Sequence, residues 1–257
     1  MAVLDLFKLD GKTAVVTGAG KGIGRGISLA LAEAGANVVV ASRSKADLDS
    51  LAADIEAIGR KAVVCPTDVT DQAQLDALAA AAKDAFGSID VWVNNAGGIP
   101  DATPRFLTRT EADHWDQQMD LNLKAVWSGC VTAAKAIGKN DGTIINISSR
   151  ASFGPQFMNG PYGASKAAVN SLTATFALEL APHIRINAVA PGPIPTQNFV
   201  ECMGTDTKEK EEKLKEQIGI PLKRYGTEED IGAAVVYLAS PASSWITGQV
   251  IYVTGGL

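Results

Sequence analysis

Cysteine is scarce in this chain, with three among 257 residues. Cys65, Cys130 and Cys202 are odd in number and far apart, which excludes a disulfide framework and a cysteine-ligated zinc cluster, so no metal site is expected. A reducing compartment fits that usage. Long apolar runs are missing too, since none reaches the ~18 residues that suggest a membrane span. The N-terminus MAVLDLFKLDGK places Asp5, Lys8 and Asp10 where a signal peptide would be apolar. We therefore expect a cytoplasmic protein with no membrane partner. Positive charge is in deficit: 23 Lys and Arg against 28 Asp and Glu give a net charge of -5, which argues against a general nucleic-acid binder. The motif Asn146-Ile147-Ser148 matches a glycosylation sequon but lies in an apolar strand pattern, where it is accidental.

What is present is ordinary for a compact α/β enzyme: 46% hydrophobic residues, 20% charged residues and 25 glycines. Short β-branched runs alternate with segments of helical apolar spacing. The runs are TAVVT (13–17), NVVVAS (37–42), KAVVC (61–65), IDVWV (89–93), TIINIS (143–148), IRINAVA (184–190) and GQVIYVTGG (248–256). Ser44 reads as a helix N-cap, and Gly35, Gly59 and Gly87 read as stops. Thr110-Glu111-Ala112-Asp113 reads as a capping box for a helical region running to about Gly138, and Thr227-Glu228-Glu229-Asp230 caps the last helix. Seven strands alternating with helices predict a Rossmann-type, doubly wound α/β fold: a seven-stranded parallel sheet with helices on both faces. No linker or further repeat interrupts it, so a single domain over 1–257 is expected. The charged stretch TDTKEKEEKLKEQIGI reads as an exposed helix on an insertion, and the span at about 196–220 as a substrate lid.

The first βα turn, Thr17-Gly18-Ala19-Gly20-Lys21-Gly22-Ile23-Gly24, is rich in glycine. Glycines allow a tight turn and let backbone approach a pyrophosphate, which sits where free N–H groups and the helix dipole favour anions. A free ribose 2′-hydroxyl is usually held by an acidic residue near the end of the second strand. Here Ser42-Arg43 stands in that place, with Lys21 in the loop. Two cations suit a 2′-phosphate, so NADP(H) is favoured and NAD(H) is the alternative.

Tyr162 and Lys166 lie four residues apart, one turn apart on a helix face. The ammonium can then favour phenolate and make the tyrosine an acid/base catalyst. By itself such a pair equally describes a packed ring beside a snorkelling lysine.

Together, TGAGKGIG, Asn94-Asn95-Ala96-Gly97, Asn122, Ser149, Tyr162, Lys166, PGPIPT (191–196) and ITGQVIYVTGG agree in order and spacing with one family. The chain resembles the short-chain dehydrogenase/reductase family, in its short single-domain branch, over nearly its whole length. The resemblance implies that Tyr162 exchanges a proton with a carbonyl or alcohol oxygen, while hydride passes between nicotinamide and carbon. It implies that Lys166 lowers the tyrosine pKa and bonds the nicotinamide ribose. Ser149 would polarise the substrate oxygen, and Asn122 would hold a water for proton relay.

The family pattern also places Gly18, Gly20, Lys21, Gly22, Ile23 and Gly24 around the pyrophosphate, with Ser42 and Arg43 beyond it. Asp68 and Val69 would meet the adenine, and Asn95, Ala96 and Gly97 the adenosine ribose. Pro191 and Gly192 would also belong to the cofactor site, with Ile194 and Thr196 at the nicotinamide carboxamide.

On the substrate side the family implies Arg150, Phe153, Phe157, Met158, Phe199, Val200 and Met203, a largely apolar set suited to a bulky molecule. The expected partner is a small carbonyl or alcohol, with hydroxysteroids or other bulky secondary alcohols first. A 3-oxoacyl-thioester reductase and a sugar or polyol dehydrogenase are alternatives, and an NADP(H) sensor without catalysis is the reading from another class. Nucleotide-sugar epimerase or dehydratase chemistry would usually need a longer substrate domain. The family also implies a homotetramer or homodimer through two-fold interfaces.

Overall fold

The computed structural model describes residues 2–257. Its sheet has the strands β1 (Thr13–Thr17), β2 (Asn37–Ser42), β3 (Ala62–Pro66), β4 (Val91–Asn94), β5 (Gly142–Ile147), β6 (Ile184–Pro191) and β7 (Val250–Val253). All are parallel, in the order β3-β2-β1-β4-β5-β6-β7. After β3 at one edge the chain returns to pair β4 with β1. The reversal at β1 and β4 creates the crevice where open α/β sheets bind ligands.

The strands read as unbroken apolar runs because helices cover both faces. Val15, Val39, Trp92 and Ile144 pack beneath α3 (Gln72–Phe86), α5 (Ala125–Ile137) and α6 (Gly160–Leu180). Their neighbours Ala14, Val16, Val38, Val40 and Val93 face α1 (Gly22–Glu33), α2 (Lys45–Ala57) and α9 (Glu228–Ala239). This alternation follows from successive side chains pointing to opposite faces. Two glycines let α1 and α9 cross closely: a Cβ on Gly232 would lie 2.8 Å from the Cβ of Ala30 and 3.2 Å from the Gly26 carbonyl oxygen. The crossing fixes α1, and with it the helix N-terminus that faces the crevice.

Several caps occur as expected. Ser44 accepts from the Asp47 N–H, and Thr227 with Asp230 forms a reciprocal box. Thr110 does not cap. The helix α4 (Ala112–Met119) starts from Glu111 without a side-chain cap, and the Thr110 hydroxyl donates instead to the Phe106 carbonyl. A π-helical turn, Asp120–Lys124, separates α4 from α5, so the expected continuous helix is interrupted at Asn122. The charged insertion forms α8 (Lys208–Ile218), preceded by α7 (Gln197–Met203), which the apolar spacing did not reveal. The final strand is shorter than predicted. Asn146 of the sequon is fully buried, its amide bonded to Asn94 and Thr173. None of the described helices is long and apolar enough to cross a membrane.

Candidate active site

A cavity of about 780 Å³ opens at the C-terminal ends of the central strands. One wall is the turn between β1 and α1, supplied by Gly18, Lys21, Gly22, Ile23 and Gly24. The backbone crowds so closely here that side chains are excluded. A Cβ on Gly18 would lie 2.8 Å from the Cα of Ala96, and one on Gly24 would sink into the Gly18 carbonyl oxygen. Gly18 and Gly22 also have positive φ, 64° and 54°, which L-residues rarely adopt. The result is a bare cradle at a helix N-terminus, the arrangement that receives a dinucleotide pyrophosphate. Asn95 braces it: Nδ2 donates to the Thr17 and Gly18 carbonyls at 2.9 and 3.1 Å. The Thr17 hydroxyl in turn accepts from the Asn95 and Ala96 N–H groups.

Asn95, Ala96 and Gly97 line the same cavity, as do Pro191, Gly192, Ile194 and Thr196. Thr196 caps α7 and stands across the loop, since a Cβ on Gly22 would lie 3.0 Å from its methyl carbon. The remaining residues of the expected cofactor set lie outside this cavity. Gly20 sits beside Ser42, whose hydroxyl would be 3.0 Å from a Cβ there. Arg43 is exposed nearby. Asp68 accepts from the Thr70 hydroxyl at 2.7 Å and the Thr70 N–H at 2.9 Å. Those bonds, then the charge of Arg43, hold its carboxyl below the ordinary range. Val69 is buried in the core beneath. Lys21 lies 3.5 Å from the Asp47 carboxylate.

Tyr162, Lys166 and Ser149 meet on the opposite wall. Tyr162 and Lys166 share one face of α6, and Ser149 opens a short turn just after β5. Ser148 is engaged elsewhere, donating to the Lys166 carbonyl at 3.2 Å. The electrostatics depart from the expectation that the Lys166 ammonium lowers the tyrosine pKa. The Lys166 ammonium lies 5.8 Å from the centre of the tyrosine ring and donates to the Ile147 carbonyl at 2.9 Å. Burial is the largest influence on both groups. It raises the Tyr162 pKa, which hydrogen bonding to the Ser149 hydroxyl pulls back down, and depresses that of Lys166 to about 8.

Asn122 does not line the cavity; it stands behind Gly97. A Cβ on Gly97 would lie 2.9 Å from the Asn122 Oδ1 and 3.3 Å from the Lys166 Nζ. The Asn122 amide donates to the Gly98 carbonyl and the Gln118 Oε1 at 2.8 and 3.0 Å, and accepts from the Gly98 N–H at 2.9 Å. Gln118 is fully buried, and sequence reasoning missed it. The available signal was its place one helical turn before Asn122.

Of the expected substrate residues, Arg150, Phe199 and Met203 line the cavity, joined by Cys202, Leu214 and Ile218. Phe153 and Met158 do not. Phe153 is exposed and packs edge-on against Tyr252, and the Met158 carbonyl accepts from the Arg105 N–H. Phe157 is likewise exposed, against Phe106.

A family model described as enoyl-(acyl carrier protein) reductase matches residues 18–257. A 3-oxoacyl-[acyl-carrier-protein] reductase of Thermotoga maritima is 37% identical, over 97% of this chain and 99% of its own. A 3β-hydroxysteroid dehydrogenase of Eggerthella lenta is 38% identical, over 97% and 94%. The chain belongs to the short-chain dehydrogenase/reductase family. As such a dehydrogenase it is an oxidoreductase with NAD(P) as cofactor, and the glycine cradle fits that group. A solved 7α-hydroxysteroid dehydrogenase, complexed with NADH and 7-oxo glycochenodeoxycholic acid, superposes with a TM-score of 0.91. It is 34% identical and the match covers 100% of this dehydrogenase and 98% of the other.

Proposed function

We propose that the protein interconverts a ketone and a secondary alcohol with NADP(H), on a bulky apolar substrate of hydroxysteroid type. The observation that carries this is the meeting of Tyr162, Ser149 and Lys166 on one cavity wall opposite a glycine cradle. Bound NADP(H) supplies or accepts the hydride. Tyr162 donates a proton to the carbonyl oxygen in reduction and removes it in oxidation. With its pKa raised by burial, the phenol is neutral at pH 7 and ready to donate. Ser149 hydrogen-bonds the developing oxyanion beside it. Lys166 and Asn122, whose Nζ and Oδ1 both lie close to where a Cβ on Gly97 would stand, carry the proton path from the phenol through water.

Arg43, exposed beside Ser42 with no carboxylate in its place on the second strand, supports NADP(H) over NAD(H). Phe199, Met203, Leu214 and Ile218 support an apolar substrate. A second reading, 3-oxoacyl-thioester reduction, is favoured by the Thermotoga relative. The helices α7 and α8 act as a lid. Asn198 bonds the Ile99 backbone in both directions, and Phe199 packs edge-on against Tyr225. The working form is a homotetramer or homodimer, which light scattering tests directly.

The deciding experiment is a panel of ketones and secondary alcohols, including steroids, acetoacetyl thioesters and polyols, followed by NADPH absorbance. Turnover of steroids above thioesters supports the first reading, and the reverse order supports the second. Tyr162→Phe should lower kcat by at least ~100-fold, the scale of general acid catalysis, while NADPH still binds. Substantial residual activity would remove Tyr162 from the chemistry.

A further inference from the structure

We propose that Arg150 reads a negative charge on the substrate, so that the protein acts on ketones or secondary alcohols carrying a carboxylate or phosphate group. The inference rests on the reading of this cavity as an oxidoreductase site and names the substrate class within it.

Arg150 follows Ser149 directly and lines the cavity with it. Three cations line that cavity: Lys21, Arg150 and Lys166. Lys21 lies 3.5 Å from Asp47, and Lys166 is buried and bonded to the Ile147 carbonyl. The Arg150 guanidinium makes no ion pair and no hydrogen bond with any described residue. The two acidic side chains on the cavity wall do not reach it within ion-pair distance, nor does the carboxylate of Leu257, which lines the same cavity. Glu201 accepts from the Gln197 amide at 2.9 Å, and Glu228 lies against the glycine loop.

The pattern among the eight arginines sharpens the point. Arg25, Arg60, Arg105 and Arg224 pair with carboxylates. Arg185 bonds the Leu238 and Ile246 carbonyls, and Arg109 stacks over Phe106. That leaves Arg43, beside the proposed 2′-phosphate position, and Arg150, next to Ser149 in the chain and on the same cavity. A guanidinium offers a planar fork of donors that matches carboxylate and phosphate oxygens two at a time. Arg150 is exposed at the cavity, where an unpaired guanidinium is open to anions from solution. A substrate with an apolar body against Phe199 and Met203 and an anionic end at Arg150 satisfies both features.

The test uses ketone pairs identical but for charge: a keto acid with its methyl ester, and a keto phosphate with its free alcohol. The ratio of kcat/KM within each pair is independent of how much enzyme is correctly folded. In the parent protein the anion should be favoured by at least tenfold. Arg150→Ala should bring that ratio near one, Arg150→Lys should retain part of it, and Arg150→Glu should reverse it. The pair with the larger ratio identifies carboxylate or phosphate as the preferred anion, and either outcome supports the proposal. Turnover of both members of each pair at equal efficiency overturns this inference alone, as does an unchanged ratio in Arg150→Ala. No turnover of any ketone or alcohol overturns the oxidoreductase reading of the cavity, and this inference with it.

Discussion

Lys166→Met should make the protein more stable while abolishing its turnover. Lys166 is only 3% exposed and, among the described residues, has no carboxylate within ion-pair distance and one side-chain bond, to the Ile147 carbonyl at 2.9 Å. Burial depresses its pKa from 10.5 to about 8. That drop, at ~1.4 kcal/mol per pKa unit, means that holding the charge in place at pH 7 costs roughly 3 kcal/mol. Methionine keeps the stem and removes the charge, but leaves the Ile147 carbonyl without this donor, a loss of about 1–2 kcal/mol. The net gain at pH 7 is then on the order of 1–2 kcal/mol, or a rise in Tm of roughly 2–6 °C for a chain of this size.

The sign of the pH dependence follows from linkage. A lysine depressed on folding leaves the unfolded chain binding more protons between about pH 8 and 10.5, so parent stability rises across that window. The penalty is fully present below pH 8 and gone above 10.5. The advantage of Lys166→Met should therefore be greatest at pH 7 and fade toward pH 10.5. Parallel urea denaturations at pH 7, 8, 9 and 10, at fixed protein concentration because assembly shifts apparent stability, measure this. A variant less stable than the parent at pH 7, or an advantage independent of pH, would refute the reasoning.

Three other outcomes are expected. Gly24→Ala forces a Cβ into the Gly18 carbonyl and to within 2.5 Å of the Asn95 amide nitrogen. It should cost about 1–3 kcal/mol of stability and weaken NADPH binding at least tenfold in a fluorescence titration; parent-like binding would show that the cradle yields more easily than its packing implies. Arg43→Asp should lower the ratio of kcat/KM for NADPH over NADH by at least tenfold, and equal use of both cofactors by the parent would defeat the 2′-phosphate argument. Hydrogen exchange across residues 196–220 should slow on NADPH binding as α7 and α8 close, and unchanged exchange would count against a lid.

Local chemistry determined a great deal of this protein. The β-branched runs and the helical apolar spacing specify the strands and helices, because covered parallel strands need both faces apolar and covering helices need only one. The glycines at 18, 22 and 24, and the four-residue interval from Tyr162 to Lys166, are equally local, since turn geometry and helical pitch act over a few residues. Other features depend on where distant segments come to rest. That Lys166 bonds the Ile147 carbonyl, and that burial outweighs the Ser149 hydrogen bond in setting the Tyr162 pKa, follows from how α6 packs on β5. The π-helical turn at Asn122 and the buried Gln118 behind it answer to the loop after β4, which no helical period encodes. Phe153 and Met158 sit four and nine residues from Ser149, yet the path of the backbone turns them out of the cavity. Arg150, one residue from the serine, remains on the cavity with no partner among the described residues. Which side chains share a cavity is decided by the crossing of non-adjacent elements, and that is settled only when the chain folds.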